Sequence, residues 1–209
     1  MYQNENNFNL IFDQLQKLLK NKKRILISIT GSPASGKSTF ANQLSKYLIN
    51  KNYKCEVIPM DGFHLDNKIL INKGLLSRKG SYQTFDADGF LSLIKRLTKE
   101  ENVIVPIFNR ELDMSIAQAL EIKKDLDFVI VEGNYLLLNK PTWSSLDKYW
   151  DLSIMLDIEI EEIKKRLLER WLYYGYTKNE AIEKIKKNDI LNSKEIMENS
   201  KEADIIIKN

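Results

Sequence analysis

The residues best suited to chemistry lie in one short stretch, residues 31–38, which reads Gly-Ser-Pro-Ala-Ser-Gly-Lys-Ser. The spacing fits Gly-x-x-x-x-Gly-Lys-Ser, a loop whose glycines let backbone N–H groups point at phosphate oxygens. Lys37 can place a cation against the β- and γ-phosphates, and the Ser38 hydroxyl can ligate Mg²⁺. The stretch therefore predicts a nucleotide-binding site. The residues predicted to line it are Gly31, Ser32, Pro33, Ala34, Ser35, Gly36, Lys37, Ser38 and Thr39.

Two carboxylates follow apolar runs that have the length and composition of strands. Asp61 comes after residues 53–60, and Glu132 closes the run at residues 127–131. Open α/β sheets bind ligands at the carboxyl ends of their strands, so both side chains are expected beside the loop. Glu132 can hold Mg²⁺ or its waters. For Asp61 a catalytic base, a Mg²⁺ ligand and a loop cap remain as alternatives.

These residues must be positioned by a regular alternation of strands and helices. Such an alternation predicts an α/β fold, namely a three-layer P-loop NTPase with a mainly parallel sheet and helices on both faces. We expect one domain over residues 1–209, with a helical lid at about 159–187. Residues 116–122 could form either a helix or a short strand. The predicted strands are 24–30, 53–60, 103–108, 127–132, 151–157 and 203–207, and the predicted helices are 4–20, one opening at 36, 86–97, 159–173 and 178–199.

Composition narrows the classes of partner. The chain has 209 residues, of which 43% are hydrophobic, and a net charge of only +3. This charge is too small to indicate nucleic acid. Cys55 is the single cysteine, so no disulfide framework is predicted. There is no signal-peptide pattern and no apolar run of membrane-spanning length, so we expect a cytoplasmic protein without a membrane partner. A homodimer is left open.

Other nucleotide-binding classes fit less well. A regulatory GTPase would carry Asn-Lys-x-Asp after a late strand, and this chain does not. A mechanical ATPase would usually carry Asp or Asp-Glu after its acidic strand, where this chain has Glu132-Gly133. A binding-only relative would be expected to lose Lys37, Asp61 or Glu132, and all three are present. A P-loop ATPase or GTPase, or a regulatory nucleotide-binding protein, is therefore the second reading.

Several motifs together resemble the P-loop small-metabolite kinases, the group of uridine kinase, phosphoribulokinase and bacterial pantothenate kinase. Besides the loop, they are residues 61–67 (Asp-Gly-Phe-His-Leu-Asp-Asn), residues 131–138 (Val-Glu-Gly-Asn-Tyr-Leu-Leu-Leu) and Asn188-Asp189-x-x-Asn192. They look most similar to the nucleoside-kinase-like branch, whose members are described as putative fructose transport-system kinases. The resemblance covers about residues 24–207. It implies an ATP-dependent, Mg²⁺-assisted kinase that phosphorylates a hydroxyl of a sugar, nucleoside or pantothenate-like acceptor.

The resemblance also implies roles for single residues. Asp61 matches the base that serves the acceptor hydroxyl, and Glu132 matches the acid that organises Mg²⁺. Asn188 and Asn192 match a segment beside the adenine, although helix caps are an alternative. Neither the acceptor nor a preference between ATP and GTP follows from these motifs. The residues that the resemblance places on the acceptor side are His64, Lys79, Phe85, Asp86, Arg110 and Asp113.

Two arginines of the predicted lid complete the set. Arg166 and Arg170 are four residues apart and therefore share a helix face. The resemblance implies that they reach the transferring phosphoryl group. Ion pairs with Glu162 or Glu169 on a solvated face are the alternative.

Overall fold

The computed structural model describes residues 2–208, and the side chains of residues 6–208. A π-helical segment, Ile185–Asp189, joins α6 to α7. Short 3₁₀ turns lie at Met60–Phe63, Leu76–Arg78 and Tyr82–Thr84. In chain order the elements are α1 (Tyr2–Leu19), β1 (Ile25–Gly31), α2 (Lys37–Asn50), β2 (Cys55–Pro59), α3 (Asn67–Asn72), α4 (Ala87–Leu97), β3 (Val103–Asn109), β4 (Met114–Ile122), β5 (Phe128–Glu132), β6 (Leu152–Asp157), α5 (Ile160–Tyr173), α6 (Lys178–Lys184), α7 (Ile190–Asn199) and β7 (Ile205–Lys208).

Five of the strands form one parallel sheet in the order β2-β5-β1-β6-β7. The strand before the phosphate loop, β1, is central, and its Ile29 lies opposite Glu132 of β5. Gly31 at its end lies opposite Leu156 of β6. The predicted α/β class with a mainly parallel sheet is confirmed.

Helices cover both faces of this sheet, because its strands carry apolar side chains on each face. Ile25, Ile27 and Ile29 of β1 are buried in a cluster with side chains of α1 and α2. Leu26, which points the opposite way, is buried with side chains of α4, α7 and β3. The alternation along one strand thus separates two helical layers, as the three-layer prediction requires.

A second, two-stranded sheet lies outside the main one. Strands β3 and β4 pair antiparallel, with a register shift between Val105 and Ile107. Pro106 lies at the shift, where its missing N–H interrupts the ladder. The open choice for residues 116–122 is resolved as a strand. The polar segment between the strands forms the turn of this hairpin, and Asp113 adopts a φ of 51° there.

The predicted lid region contains two helices joined by a sharp turn. Helix α5 ends before Gly175, which has a φ of 84°. Helix α6 begins with a capping box in which Thr177 and Glu180 bond to each other's backbone. Movement of this region as a lid stays a prediction. None of the described helices has the length and apolar character to cross a membrane.

Candidate active site

The phosphate loop bridges β1 and α2 in a shape that requires glycine at both ends. Gly36 is the N-cap of α2 with φ 89° and ψ 13°, a left-handed conformation. At Gly31 a Cβ atom would lie 2.7 Å from the carbonyl oxygen of Leu156. Between them, the N–H of Ser35 donates to the carbonyl of Ser32 at 3.1 Å. The loop therefore has its curved shape in the protein alone.

Lys37 is buried inside this loop. Its Nζ donates to the carbonyl oxygen of Ser32 at 2.9 Å. Burial lowers the pKa of Lys37 to about 8, while the nearby carboxylates of Glu132 and Asp61 act to raise it. A buried cation with one neutral partner is costly, and a phosphate anion would compensate it.

Ser38 and Glu132 form the pair of oxygen ligands expected for Mg²⁺. The Ser38 hydroxyl donates to Oε1 of Glu132 at 2.9 Å. Burial raises the pKa of Glu132, and Lys37 opposes that effect. Among the side chains of residues 6–208, no cluster of three or more His, Cys, Asp or Glu suited to a metal occurs. One hydroxyl and one carboxylate fit Mg²⁺, which keeps phosphates and waters as its other ligands. Ser38 and Glu132 would hold the ion.

Asp61 is brought to the same cleft by close backbone packing. It lies in the 3₁₀ turn after β2, where a Cβ on Gly62 would stand 2.4 Å from the carbonyl oxygen of Pro106. A Cβ on Gly133 would stand 2.5 Å from the Cβ of Met60. These contacts press the end of β2 against both the hairpin and the end of β5. Asp61 and Glu132 consequently line one cleft.

Arg110 and His64 surround Asp61. Nη2 of Arg110 donates to Oδ2 of Asp61 at 2.8 Å. Nδ1 of His64 lies 2.8 Å from the Asp61 carbonyl, and this nitrogen donates because a carbonyl only accepts. The imidazole lies between the rings of Phe85 and Phe108, with centroids 4.1 and 4.6 Å away. Burial lowers the pKa of His64, so the neutral ring presents Nε2 as an acceptor.

Lys79 joins two segments on the acceptor side. Its Nζ donates to Oδ1 of Asn67 at 2.8 Å and to the carbonyl of Asp113 at 2.9 Å. The same Nζ lies 2.8 Å from Oδ2 of Asp113. Although burial acts to raise it, the pKa of Asp113 is lowered by hydrogen bonds from Lys79 and Asn67. The turn of the hairpin is thereby tied to the start of α3.

The neighbouring residue, Arg78, joins this loop to the segment after the lid. Its guanidinium donates to the carbonyl of Lys187 at 2.8 Å and to Oδ1 of Asn192 at 3.0 Å. Nδ2 of Asn188 donates to the carbonyl of Lys79 at 2.9 Å. Asn188 and Asn192 are buried and line the same cleft as Asp61. Their contact with adenine stays a prediction.

Asp86 is placed differently from the other predicted acceptor residues. Its Oδ1 accepts from the N–H of Gly89 at 2.9 Å, which makes it the N-cap of α4. The side chain is absent from the lining of the cleft, whereas His64, Lys79, Phe85, Arg110 and Asp113 are all part of it. The helix start predicted at Asp86 is confirmed, and its contact with an acceptor stays a prediction.

The two lid arginines also differ. Arg170 lines the cleft, and its charge acts on the pKa values of Lys37 and Asp189. Nε of Arg166 donates to Oε1 of Glu162 at 2.8 Å, and Arg166 is not among the residues that line the cleft. Arg166 therefore forms the ion pair with Glu162 that the sequence left as an alternative.

The structure adds lid residues that the sequence reasoning missed. Nε1 of Trp171 donates to Oδ2 of Asp189 at 2.7 Å, and the ammonium of Lys184 lies 4.5 Å from the Trp171 ring centroid. Burial raises the pKa of Asp189. Asp189 is part of the motif Asn188-Asp189-x-x-Asn192, and it lies in a π-helical segment, a feature that often marks a functional site. No local signal pointed to Trp171.

Two spaces flank the phosphate loop. The larger, about 520 Å³, contains Lys37, Asp61, Glu132 and Arg170, and we call it the acceptor cleft. The smaller, about 370 Å³, lies beside Ser32 at the ends of β6 and β7, and we call it the Ser32 groove. Since the phosphates span the loop, a nucleoside would extend on the side opposite to Asp61. The sequence reasoning also missed this groove.

A P-loop with a buried lysine, a serine–glutamate pair and a carboxylate across one cleft defines a P-loop phosphotransferase of small molecules. Residues 26–209 match the sequence profile of the Phosphoribulokinase / Uridine kinase family. The chain belongs to that family, and it is an ATP-dependent kinase that acts on an alcohol group. An ATPase, GTPase or regulatory protein, the second reading from the sequence, is not favoured.

Individual relatives agree with the family match. A crystal structure of a putative fructose transport system kinase from Silicibacter is 39% identical, with a TM-score of 0.88 over 92% of this chain and 96% of that one. A putative uridine kinase of Schizosaccharomyces pombe is 33% identical over 95% of this chain and 88% of its own length. A pantothenate kinase of Streptococcus gordonii is 33% identical over 75% of this chain and 52% of its own length. This chain therefore spans about half of that relative.

Proposed function

We propose that the protein, as one P-loop kinase domain over residues 1–209, transfers the γ-phosphoryl group of ATP to a hydroxyl of a metabolite bound in the acceptor cleft. The observation that carries this proposal is the position of Asp61. Its carboxylate lines the same cleft as Lys37 and Glu132, and its charge acts on the pKa values of both. Phosphoryl transfer needs positioning and charge neutralisation more than covalent help, and this cleft supplies both.

Each residue has a proposed task. Lys37 releases the Ser32 carbonyl and donates to the β- and γ-phosphates. Mg²⁺, held by Ser38 and Glu132, neutralises phosphate charge when it is bound. Arg170 approaches the transferring group from α5, and residues 159–187 close over it. The nucleoside lies in the Ser32 groove. This placement replaces the contact of Asn188 and Asn192 with adenine that the sequence predicts, because both asparagines line the acceptor cleft. We also propose that the reaction takes place in the cytoplasm.

Asp61 accepts the proton of the acceptor hydroxyl. Among the described residues, the hydrogen bond that its carboxylate accepts comes from Arg110, to Oδ2. The other oxygen is the one that can receive the proton. Since Arg110 also fixes the carboxylate plane, we propose that it positions the base. The printed names of the relatives supply three acceptor chemistries to test, namely a nucleoside, a pantothenate-like hydroxy acid and a sugar.

The test is Asp61→Asn, which keeps the shape and removes the proton acceptor. General-base help is typically worth about 10² to 10⁴ in rate, and we expect a loss of that size in phosphoryl transfer with nearly unchanged Mg·ATP affinity. Acceptor-dependent ADP release gives the rate, and nucleotide titration with and without Mg²⁺ gives the affinity. The control is Asp13→Asn, which changes an exposed carboxylate on α1. If Mg·ATP affinity falls together with the rate, Asp61 is a metal ligand; unimpaired transfer would exclude both roles.

A further inference from the structure

The charges at the acceptor end of the cleft indicate whether the acceptor can carry an acidic group. We define this end by the residues around Asp61, which are His64, Asn67, Lys79, Phe108, Arg110 and Asp113. A carboxylate or phosphate on the acceptor would lose water on entering and would require an unpaired cation in return. The two cations here are Lys79 and Arg110, so their partners decide the question.

The ammonium group of Lys79 is already engaged by protein oxygens. An ammonium group has three N–H donors, and three protein oxygens lie within 2.9 Å of this one. They belong to Asn67 and to the backbone and side chain of Asp113. The Lys79 side chain is 17% exposed, and its ammonium also lies 5.4 Å from the ring centroid of Phe108. Its charge is therefore neutralised within the protein.

Arg110 is likewise paired, since it donates to Asp61 at 2.8 Å. The neutral ring of His64 adds no charge. Its protonated Nδ1 donates to the Asp61 carbonyl. What it presents is an uncharged acceptor nitrogen between two aromatic rings. Aromatic walls and one neutral hydrogen-bonding atom suit a molecule with C–H faces and hydroxyl groups.

Positive and negative side chains are also nearly equal in number over the whole cleft. Five basic side chains line the cleft, namely Lys37, Lys79, Arg110, Arg170 and Lys184. Four carboxylates line it as well, namely Asp61, Asp113, Glu132 and Asp189. The excess of one cation is small beside the charge of the nucleotide phosphates, which Lys37 and Arg170 face. Lys184 is held over Trp171 and acts on Asp189. At the acceptor end, the two cations of the described lining, Lys79 and Arg110, each have a carboxylate partner.

We infer that the acceptor is an uncharged polyhydroxy compound, and that hydroxy acids and phosphate esters are poor substrates. This inference rests on the proposed function and deepens it. Lys79 and Asp113 then act as positioning residues that neutralise each other, in place of the direct acceptor contacts predicted from the sequence.

The first experiment compares matched pairs that share the reactive hydroxyl and differ by an acidic group. The pairs are panthenol and pantothenate, uridine and orotidine, and fructose and fructose 6-phosphate, the last compared at the 1-hydroxyl that both sugars carry, assayed by ADP release with Mg·ATP. We expect the neutral member to have the higher kcat/KM, by roughly tenfold or more, in every pair that is phosphorylated. An acidic member that is equal or better overturns the inference but leaves the proposed function intact. Failure of all six compounds, with Mg·ATP binding retained, overturns the proposed function and the inference with it.

The second experiment changes the charge balance itself. Asp113→Asn removes the carboxylate that neutralises Lys79, and Asn tolerates the left-handed backbone at this position. We expect the ratio of acidic to neutral kcat/KM to rise by roughly tenfold. The matched control is Asp125→Asn, which breaks an exposed Lys54–Asp125 pair outside the cleft and should leave the ratio unchanged. An unchanged ratio in Asp113→Asn would show that Lys79 is not neutralised by Asp113, and would overturn the inference.

Discussion

At the phosphate end of the cleft, residues 31–38 shape one another largely through the backbone, and Glu132 joins them from a distant strand. At the acceptor end, the contacts join distant side chains: Arg110 and Asp61 are 49 residues apart, and Asn67 and Asp113 are 46 residues apart. The first end depends on glycine conformations and on one hydrogen-bonded lysine. The second depends on hydrogen bonds and ion pairs among partly exposed side chains.

This difference separates the two parts of the reaction. Every kinase that uses ATP must bind the same phosphates, and a loop with a fixed backbone shape does this with little dependence on its surroundings. The acceptor varies among the relatives, and side-chain contacts can be altered one at a time. We therefore expect changes at the phosphate end to affect turnover strongly, and changes at the acceptor end to alter selectivity and pH dependence.

Among changes at the phosphate end, the largest effect is expected for Lys37→Met. Removing one charged donor aimed at developing charge costs about 10² to 10³ in kcat, and Lys37 should lie near the upper limit. The fold should survive, because Met fills the same space and a buried cation is removed. The measurements are kcat with a working acceptor and the thermal unfolding midpoint. Lys46→Met, on the exposed side of α2, is the control. If Lys37→Met turned over as fast as the wild type, the phosphate end would not have the strong effect on turnover that we expect of it.

A smaller effect is expected in the lid, where the two arginines provide a matched pair. Arg170→Met should lower kcat by about 10², with little change in nucleotide affinity, because its charge is needed in the transition state. Arg166→Met should have a much smaller effect, since Arg166 is paired with Glu162 on the same helix. Steady-state kinetics with varied ATP separate the two parameters. Equal losses in both variants would mean that the lid closes further and brings Arg166 to the phosphates.

The smallest effect concerns the pH dependence of stability at the acceptor end. Burial lowers the pKa of His64, so the unfolded chain takes up this proton at a higher pH than the folded chain. The stabilising contribution is complete above the unfolded pKa of about 6.5 and is lost as the pH falls toward the folded pKa. The free energy of unfolding of the wild type, minus that of His64→Asn, should therefore decrease from about pH 7.5 to about pH 5.5.

The pKa of His64 can be measured directly, because His64 is the only histidine in the sequence. A single imidazole resonance should titrate with a midpoint below that of a free histidine. A midpoint at or above the free value would show that the ring is solvated or paired with a carboxylate, and the neutral acceptor end would then lose one of its supports.

The fold was predictable because its signals are local. The apolar run before Gly31, the glycine spacing of the loop and the capping side chain of Asp86 each act within a few residues. The hairpin of β3 and β4 was only partly predicted, since residues 116–122 have the composition of either a helix or a strand. This segment forms a strand by pairing antiparallel with the preceding strand, β3, and it also contacts the turn at Met60–Phe63, which lies far away in the sequence.

The candidate site divides in the same way. Lys37, Ser38 and Glu132 follow from a motif and from the position of strand ends. No local pattern could show that Lys79 is paired inside the protein, because Asn67 and Asp113 lie 12 and 34 residues away. The roles of the site residues stay predictions until variants are measured.

The adjacent residues Arg78 and Lys79 have a consequence for engineering in this fold. Arg78 binds the end of the lid region, while Lys79 binds the turn of the hairpin. The β3–β4 hairpin therefore cannot be transplanted alone from one enzyme to another. A graft without Asp113 would leave Lys79 as an uncompensated cation, and a graft without Lys79 would release the turn. A transplanted hairpin would therefore need a matching residue at position 79 of the receiving enzyme.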